Sequence, residues 1–462
     1  MRKLLVVLLL CALAAAGVYV FAGRADGPAI EIAQPEKFIG LSTSMEVVVR
    51  AKGGDLSSLR IALEQGGVET PLYEQTGAAG GSVPEGVEVE EQPPDGVRIR
   101  RAISRNAVPG LTSGPARLVV VASRPVLAGL REVESRLTRD LEVRLERPRV
   151  TVLSTHHYVN VGGAEAIVYR VQPADVQSGV RVGEFEYPGY PASASAGDDV
   201  RIDDPSVRVA FFALLHDQDP ATPMRVFARD EAGNSTEVDF DRRAFPKAVR
   251  QSRIDLTDAF LDRIVPAILE STTEIAPAGS TIDQFLAING DLRRKNNALI
   301  ASFASQTAPD MLWGGVTFHP FTNTAVQSAF ADARTYIYQG REVDRQTHLG
   351  FDLASYAGTP IVAAGRGRVL FADMLGIYGN TVIVDHGMGL QSLYAHLSSI
   401  SVRPGDEVEK AREIGRSGMT GLAGGDHLHF TMLVAGRMVN PIEWWDPKWI
   451  EDRILRKLRG VR

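Results

Sequence analysis

Three short patterns in the last third of the chain carry side chains able to bind a metal and move protons. The first is His348-Leu349-Gly350-Phe351-Asp352. A His and an Asp four apart could share a helix face, but Gly350 and the surrounding β pattern favour a strand followed by a loop. One nitrogen and one oxygen ligand can then converge on one ion. The second is His427-Leu428-His429-Phe430. On a strand, residues i and i+2 share a face, so both imidazoles look one way while Leu428 and Phe430 look into a core. The third, Tyr394-Ala395-His396-Leu397, has the same alternation and is expected to place Tyr394 and His396 on one face.

The chain holds nine histidines, and five of them fall between 348 and 429. Its single cysteine, Cys11, excludes an internal disulfide and a thiolate-built zinc site, so a metal must be held by His, Asp or Glu. A catalytic zinc takes three protein ligands and keeps a fourth position for water. Two histidines and one Asp would leave such an ion a net charge of about +1. It would polarise a peptide carbonyl and lower the pKa of its water towards ~7. Two histidines then remain. One can act as general base towards the water, and the other can stabilise the oxyanion or protonate the leaving amine. Spacing alone leaves open which of His427 and His429 binds metal. His156 and His157 are adjacent, face opposite sides of any strand, and read as ordinary surface and core residues.

The elements that must position these groups differ along the chain. From 312 to about 446 short β runs alternate with glycine-rich turns, as in Ile361–Ala364, Val369–Ala372, Thr381–Val384 and Leu428–Val434. Residues 250–306 carry apolar positions at helical spacing, with Thr281 a helix start and Pro266 a break or kink in the first helix. From Ile30 to about Pro246 the pattern is again β, with runs such as Met45–Val49, Ala166–Val171 and Val207–Leu215. A faint repeat relates Ile30-Glu31-Ile32 and Val47–Arg50 to Val150-Thr151-Val152 and Ile167–Arg170, which suggests two Ig-like sandwiches. At the start, Arg2 and Lys3 precede the uncharged stretch Leu4 to Ala22. That length is near the ~20 residues that span a bilayer. It reads as a membrane helix, with a cleaved signal peptide as the alternative.

In order along the chain stand His348–Asp352, Gly379-Asn380, Val384-Asp385-His386-Gly387, Tyr394–Leu397, Gly405-Asp406 with Val408, Ile414-Gly415, Thr420-Gly421 and His427–Phe430. This set resembles the lysostaphin/LytM-type zinc endopeptidases, which cleave peptidoglycan. The resemblance covers about 310–446. It implies a compact, mostly antiparallel β domain with a groove over the metal. It implies one Zn2+ per chain held by His348, Asp352 and His429, with His396 and His427 as the catalytic histidines. It makes His386 a structural turn residue and Asn380 and Tyr394 candidate groove residues, while His319, before Pro320, reads as a loop histidine with groove lining as the alternative. The chain departs from the family at Thr431, where Glu is frequent, and at Lys410-Ala411-Arg412-Glu413, where Lys-Gly-Gln is usual. Neither departure touches the five metal and proton groups.

The resulting expectation is a mainly β, multidomain chain. It has a membrane helix or signal peptide at 1–25, Ig-like modules at 30–147 and 148–246 and a helical segment at 250–306. A zinc metallopeptidase domain follows at 310–446, and a basic tail at 447–462. The tail carries Arg453, Arg456, Lys457, Arg459 and Arg462, read as a solvated helix end. The expected partners are peptidoglycan and, through the N-terminal helix, the membrane, in the cell envelope. A net charge of −6 and pI ≈ 5.9 give no clustered basic surface for nucleic acid. No HExxH helix is present for a protease of that kind. Two rival readings are a non-catalytic activator of another wall hydrolase and an extracellular scaffold.

Overall fold

A computed structural model describes residues 2–22, 25–52, 56–77, 85–92, 95–195, 202–321 and 323–461. Arg462 of the basic run lies outside the described residues. The fold is mainly β with few helices. The chain divides into two compact units, one of Met1–Pro148 with Arg229–Ser235 and one of Arg149–Ala228 with Thr236–Arg462.

The first unit opens with a helix, Arg2–Ala22, whose described side chains run from Val6 to Val20 and are exposed. Among the described residues no helix is long and apolar enough to cross a membrane. Beyond it lie a four-stranded and a five-stranded sheet. Period-two patterning accounts for one face of the sheet: in Thr43–Arg50, Met45, Val47 and Val49 are buried while Glu46 is not, although Val48 on the other face is buried too. These residues and Ile61, Leu118 and Val120 form one apolar core.

In the second unit, Arg149–Val152 pairs antiparallel with Ala164–Gln172, as Ala29–Gln34 pairs with Thr43–Arg50 in the first. The repeat in the sequence therefore marks the same strand pairing twice. Helix Asp258–Glu270 is capped by Thr257, whose hydroxyl accepts from the Phe260 N–H. It buries Leu261, Ile264, Val265 and Ile268, an apolar face that contributes roughly 6–12 kcal/mol as an upper bound. Pro266 does not end this helix. Pro266 and Asp262, whose carbonyl loses its helical partner, are both exposed. Helix Thr281–Ala287 begins with a reciprocal capping box between Ser280 and Asp283.

The main C-terminal sheet is antiparallel and runs Ala325–Ser328, Phe351–Ala354, Leu428–Val434, Leu390–Leu397, Gly379–Gly387, Gly367–Leu375, Glu407–Val408. Beside it lies a three-stranded sheet in which Gln251–Leu256 runs parallel to Asp332–Tyr338, which pairs antiparallel with Arg341–His348. The basic C-terminal segment is not uniformly solvated. Ile450, Ile454, Lys457 and Leu458 recur at helical spacing and are buried, so Lys457 packs inward with them.

Candidate active site

Each polar residue of the site is set in place by strand register. His348 ends the strand Arg341–His348, and Asp352 lies one residue inside Phe351–Ala354. Asp352 stands opposite His429 in the antiparallel ladder, and Ala395 stands opposite His429 from the other side. Leu428 and Phe430 point into the core at 1% and 0% exposure, so His427 and His429 must face the other way.

The sheet brings three ligand atoms into a triangle. His348 Nε2 is 2.9 Å from Asp352 Oδ1 and 3.0 Å from His429 Nδ1, and His429 Nδ1 is 3.0 Å from Asp352 Oδ1. His427 Nε2 lies 3.5 Å from the same Oδ1. The rings of His396 and His427 are 4.8 Å apart, and His396 is 5.7 Å from the ring of His429. All five side chains are buried and border one open cleft of about 510 Å³.

Backbone carbonyls fix the imidazole tautomers. A carbonyl only accepts, so His348 Nδ1 donates to Ala329 O at 3.1 Å, His396 Nδ1 to Thr420 O at 2.8 Å, and His427 Nδ1 to Gly425 O at 2.8 Å. In the neutral rings Nε2 is then a bare lone pair. His429 is turned the other way. Its Nδ1 faces the triangle and its buried Nε2 has no partner among the described residues. Two imidazole lone pairs and a carboxylate oxygen about 3 Å apart repel one another unless a cation or proton sits among them. Their N, O, N chemistry fits a divalent ion of the zinc type.

The electrostatics sort the histidines. Burial pushes His429 down to about 4 and holds His396 well below the ordinary value, so both are neutral near pH 7. Burial also opposes charge on His427, but its hydrogen bond and attraction to Asp352 outweigh that and raise it. Burial would raise Asp352, yet the surrounding imidazoles, His348 foremost, hold it well below the usual carboxylate range.

Tyr394 does not join the site. Its strand leaves regular alternation before His396, which has φ +62°, a left-handed conformation that is strained for a non-glycine residue. The irregularity turns His396 to the cleft and leaves Tyr394 in the core, where its hydroxyl meets Ala364 N at 2.7 Å and its ring packs on Phe430. Asn380 acts behind the site instead: its N–H donates to Thr420 Oγ1, beside the carbonyl that holds His396. His386 is fully buried between Arg366 O and Ser392 Oγ.

Sequence reasoning passed over several contributors. Arg334 donates to Asp352 Oδ2 at 2.8 Å from a strand with no motif of its own. Asp426 accepts from Ser417 Oγ at 2.6 Å and from Gly358 N at 3.2 Å, tying the loop before His427 to the loop after Ala354. Gly350 carries a turn signal in the sequence, but nothing there announces its tight fit against the His429 ring.

Residues 346–441 match the model of peptidase family M23. The chain is 36% identical over 163 residues to the DD-carboxypeptidase/endopeptidase Mpg of Neisseria meningitidis serogroup B, a match that covers 32% of this chain and 37% of that protein. It is 40% identical over 96 residues to the peptidoglycan DD-endopeptidase ShyA of Vibrio cholerae, covering 21% of this chain and 22% of that one. It is 37% identical over 94 residues to the lipoprotein NlpD of Yersinia enterocolitica, covering 20% of this chain and 96% of that sequence. The chain thus spans about a third or less of the length of the first two relatives.

Proposed function

The chain belongs to peptidase family M23, and from that premise we propose that it is a zinc-dependent endopeptidase that hydrolyses stem peptides or cross-links of peptidoglycan. The observation that carries this reading is the triangle of His348 Nε2, Asp352 Oδ1 and His429 Nδ1. These three residues are assigned to hold one Zn2+, which when bound would polarise a peptide carbonyl and acidify a water. His396, neutral and with a bare Nε2, is placed to accept a proton from that water. His427, whose ring lies 4.8 Å from that of His396 beside the triangle, is assigned to hold a proton for the leaving amine. Their burial lowers the local dielectric and strengthens both roles.

The peptidoglycan substrate places the enzyme in the cell envelope. The uncharged stretch Leu4–Ala22 behind Arg2 and Lys3 supports an N-terminal membrane anchor. Of the Ig-like modules proposed at 30–147 and 148–246, the first would then act as a spacer between anchor and enzyme, whereas most of the second falls in the same compact unit as the peptidase domain. The segment 250–306, read from the sequence as helical, begins with the strand Gln251–Leu256 and is helical only from Asp258; it leads into the peptidase domain at 310–446, and 447–462 forms its basic C-terminal segment.

The test is release of soluble peptides from purified peptidoglycan by the full chain, with mass spectrometry of the products. Release that stops on chelation, returns with zinc and is absent in His429→Ala is the expected result. Release that survives both treatments would remove the metal from the reaction.

A further inference from the structure

We propose that Arg334 is the positioning residue of the Asp352 carboxylate, and that Asp332 and Ser252 hold Arg334 in turn. The inference rests on the reading that His348, Asp352 and His429 bind the metal. Asp352 divides its two oxygens cleanly. Oδ1 faces His348 Nε2 and His429 Nδ1, while Oδ2 accepts from Arg334 Nη2 at 2.8 Å. A carboxylate with both oxygens free can rotate or offer both to an ion. A charged donor on one oxygen fixes its plane and leaves a single oxygen for the metal.

Arg334 is itself constrained. Its side chain is 21% exposed, and its Nε, which makes no hydrogen bond among the described residues, faces Asp332 Oδ2 as an ion pair at 3.7 Å. Asp332, whose side chain is 3% exposed, accepts from Ser252 Oγ at 2.8 Å on both oxygens and from Ser328 Oγ at 3.0 Å. The strands register this network directly onto the ligands. Ser252 stands opposite Arg334, Asp332 opposite His348, Ser328 opposite Asp352, and Asp352 opposite His429. Ser252, Ser328, Asp332 and Arg334 all lie before the stretch 346–441 that matches the family. A strand that precedes the whole helical segment therefore reaches the metal site through two carboxylates and one guanidinium.

Arginine suits this role better than lysine. Its planar guanidinium stays charged and can face two carboxylates at fixed angles, where an ammonium gives a point charge on a flexible stem. Loss of the guanidinium would also leave Asp332 buried without its cation, a further cost to the arrangement.

The experiment uses the full chain, stripped of metal. Zinc affinity is measured against a chromophoric chelator, and the d–d absorption of the Co2+-loaded protein reports coordination number. The variants are Arg334→Met, Arg334→Lys, Ser252→Ala and His429→Ala, each checked for folding by circular dichroism. The expected result is zinc binding ~10–100-fold weaker in Arg334→Met, with an altered Co2+ spectrum, and partial rescue of both in Arg334→Lys. A folded Arg334→Met with wild-type affinity and spectrum overturns the proposal. If Arg334→Met does not fold, Arg334→Lys and Ser252→Ala decide, and unchanged affinity and spectrum in both overturns it. Stoichiometric zinc retained by His429→Ala would instead overturn the ligand reading itself, and so separates the two failures.

Discussion

Gly350 passes so close to His429 that a β-carbon built on it would lie 2.5 Å from Cε1 and 2.6 Å from Nε2 of the ring, and 2.8 Å from the carbonyl oxygen of Phe430. The first two atoms belong to a side chain packed between strands, and the third is backbone in the central ladder. None can move without disturbing the metal triangle. Gly350→Ala is therefore expected to weaken zinc binding by at least ~10-fold and to cost about 1–3 kcal/mol of stability through overpacking. Chelator competition and thermal melts of the purified variant check both. Wild-type zinc affinity in a folded Gly350→Ala would mean that His429 has room to yield.

The same residue shows where sequence reading stops. Residue types and spacing single out His348, Asp352, His396, His427 and His429 as candidates and leave open which of His427 and His429 would bind metal; the structure brings all five to one cleft, with His429 rather than His427 in the triangle. Tyr394 was misplaced because the left-handed residue at His396 breaks period-two alternation, and nothing in Tyr-Ala-His-Leu announces it. Arg334 and Ser252 were missed for a different reason. They act through pairings between strands far apart in sequence, including a parallel pair, and an arginine or serine in a strand carries no signal of what lies across it. The basic C-terminal run was read as solvated because five cations outweighed the apolar Ile450, Ile454 and Leu458 that bury its inner face.

The strand Gln251–Leu256 bears on which piece of the chain can fold. A fragment of 310–462 holds the five polar site residues but lacks this strand, and lacks Leu261, Ile264, Phe285 and Ile300, which share its apolar core. Each of these buried side chains stabilises by ~1.5–3 kcal/mol, a total comparable with the whole stability of a domain. The fragment 310–462 is expected to show no cooperative melt, whereas 149–462 melts cooperatively. Calorimetry on the two fragments decides, and a sharp transition in the shorter one would show that the helices and the Gln251–Leu256 strand are dispensable.

Stability should also respond to pH through a group remote from the metal. Glu443 is buried and accepts from Asn160 Nδ2 at 2.9 Å and from Ala164 N at 2.8 Å. Burial raises its pKa from 4.5 to about 7. Between these values the folded chain holds a proton that the unfolded chain has released, so stability falls as pH rises. The contribution is fully present below about 4.5 and is lost by the time pH has passed through about 7, a change on the order of 3 kcal/mol from this group alone. Denaturant melts of wild type and Glu443→Ala across pH 5 to 8 isolate it. The stability difference between the two should shift with pH in that window, and a constant difference would place the Glu443 titration elsewhere.

Lys457 and Glu165 form a deeply buried ion pair in the second unit, at 2.8 Å with side chains 7% and 0% exposed. Lys457 Nζ also donates to Ala166 O at 2.8 Å, and Glu165 accepts from the N–H groups of Tyr158 and Ala166. Burial raises Glu165 and lowers Lys457, so on each partner desolvation outweighs the attraction of the other. Such a pair adds little beyond what well-packed apolar groups would give, but removing Lys457 leaves the buried Glu165 charge only the longer cationic contact to Arg453 Nη1 at 3.9 Å among the described residues. Lys457→Met is therefore expected to cost ~3–5 kcal/mol. The double variant Lys457→Met with Glu165→Gln should recover part of that loss, because the Gln buries no charge and keeps one oxygen for the backbone donors. A double-mutant cycle by denaturant melts measures the difference. If Lys457→Met costs no more than an ordinary surface change, Glu165 must take up a proton or another cation when its partner leaves, and the C-terminal helix is then held by Ile450, Ile454 and Leu458 rather than by the ion pair.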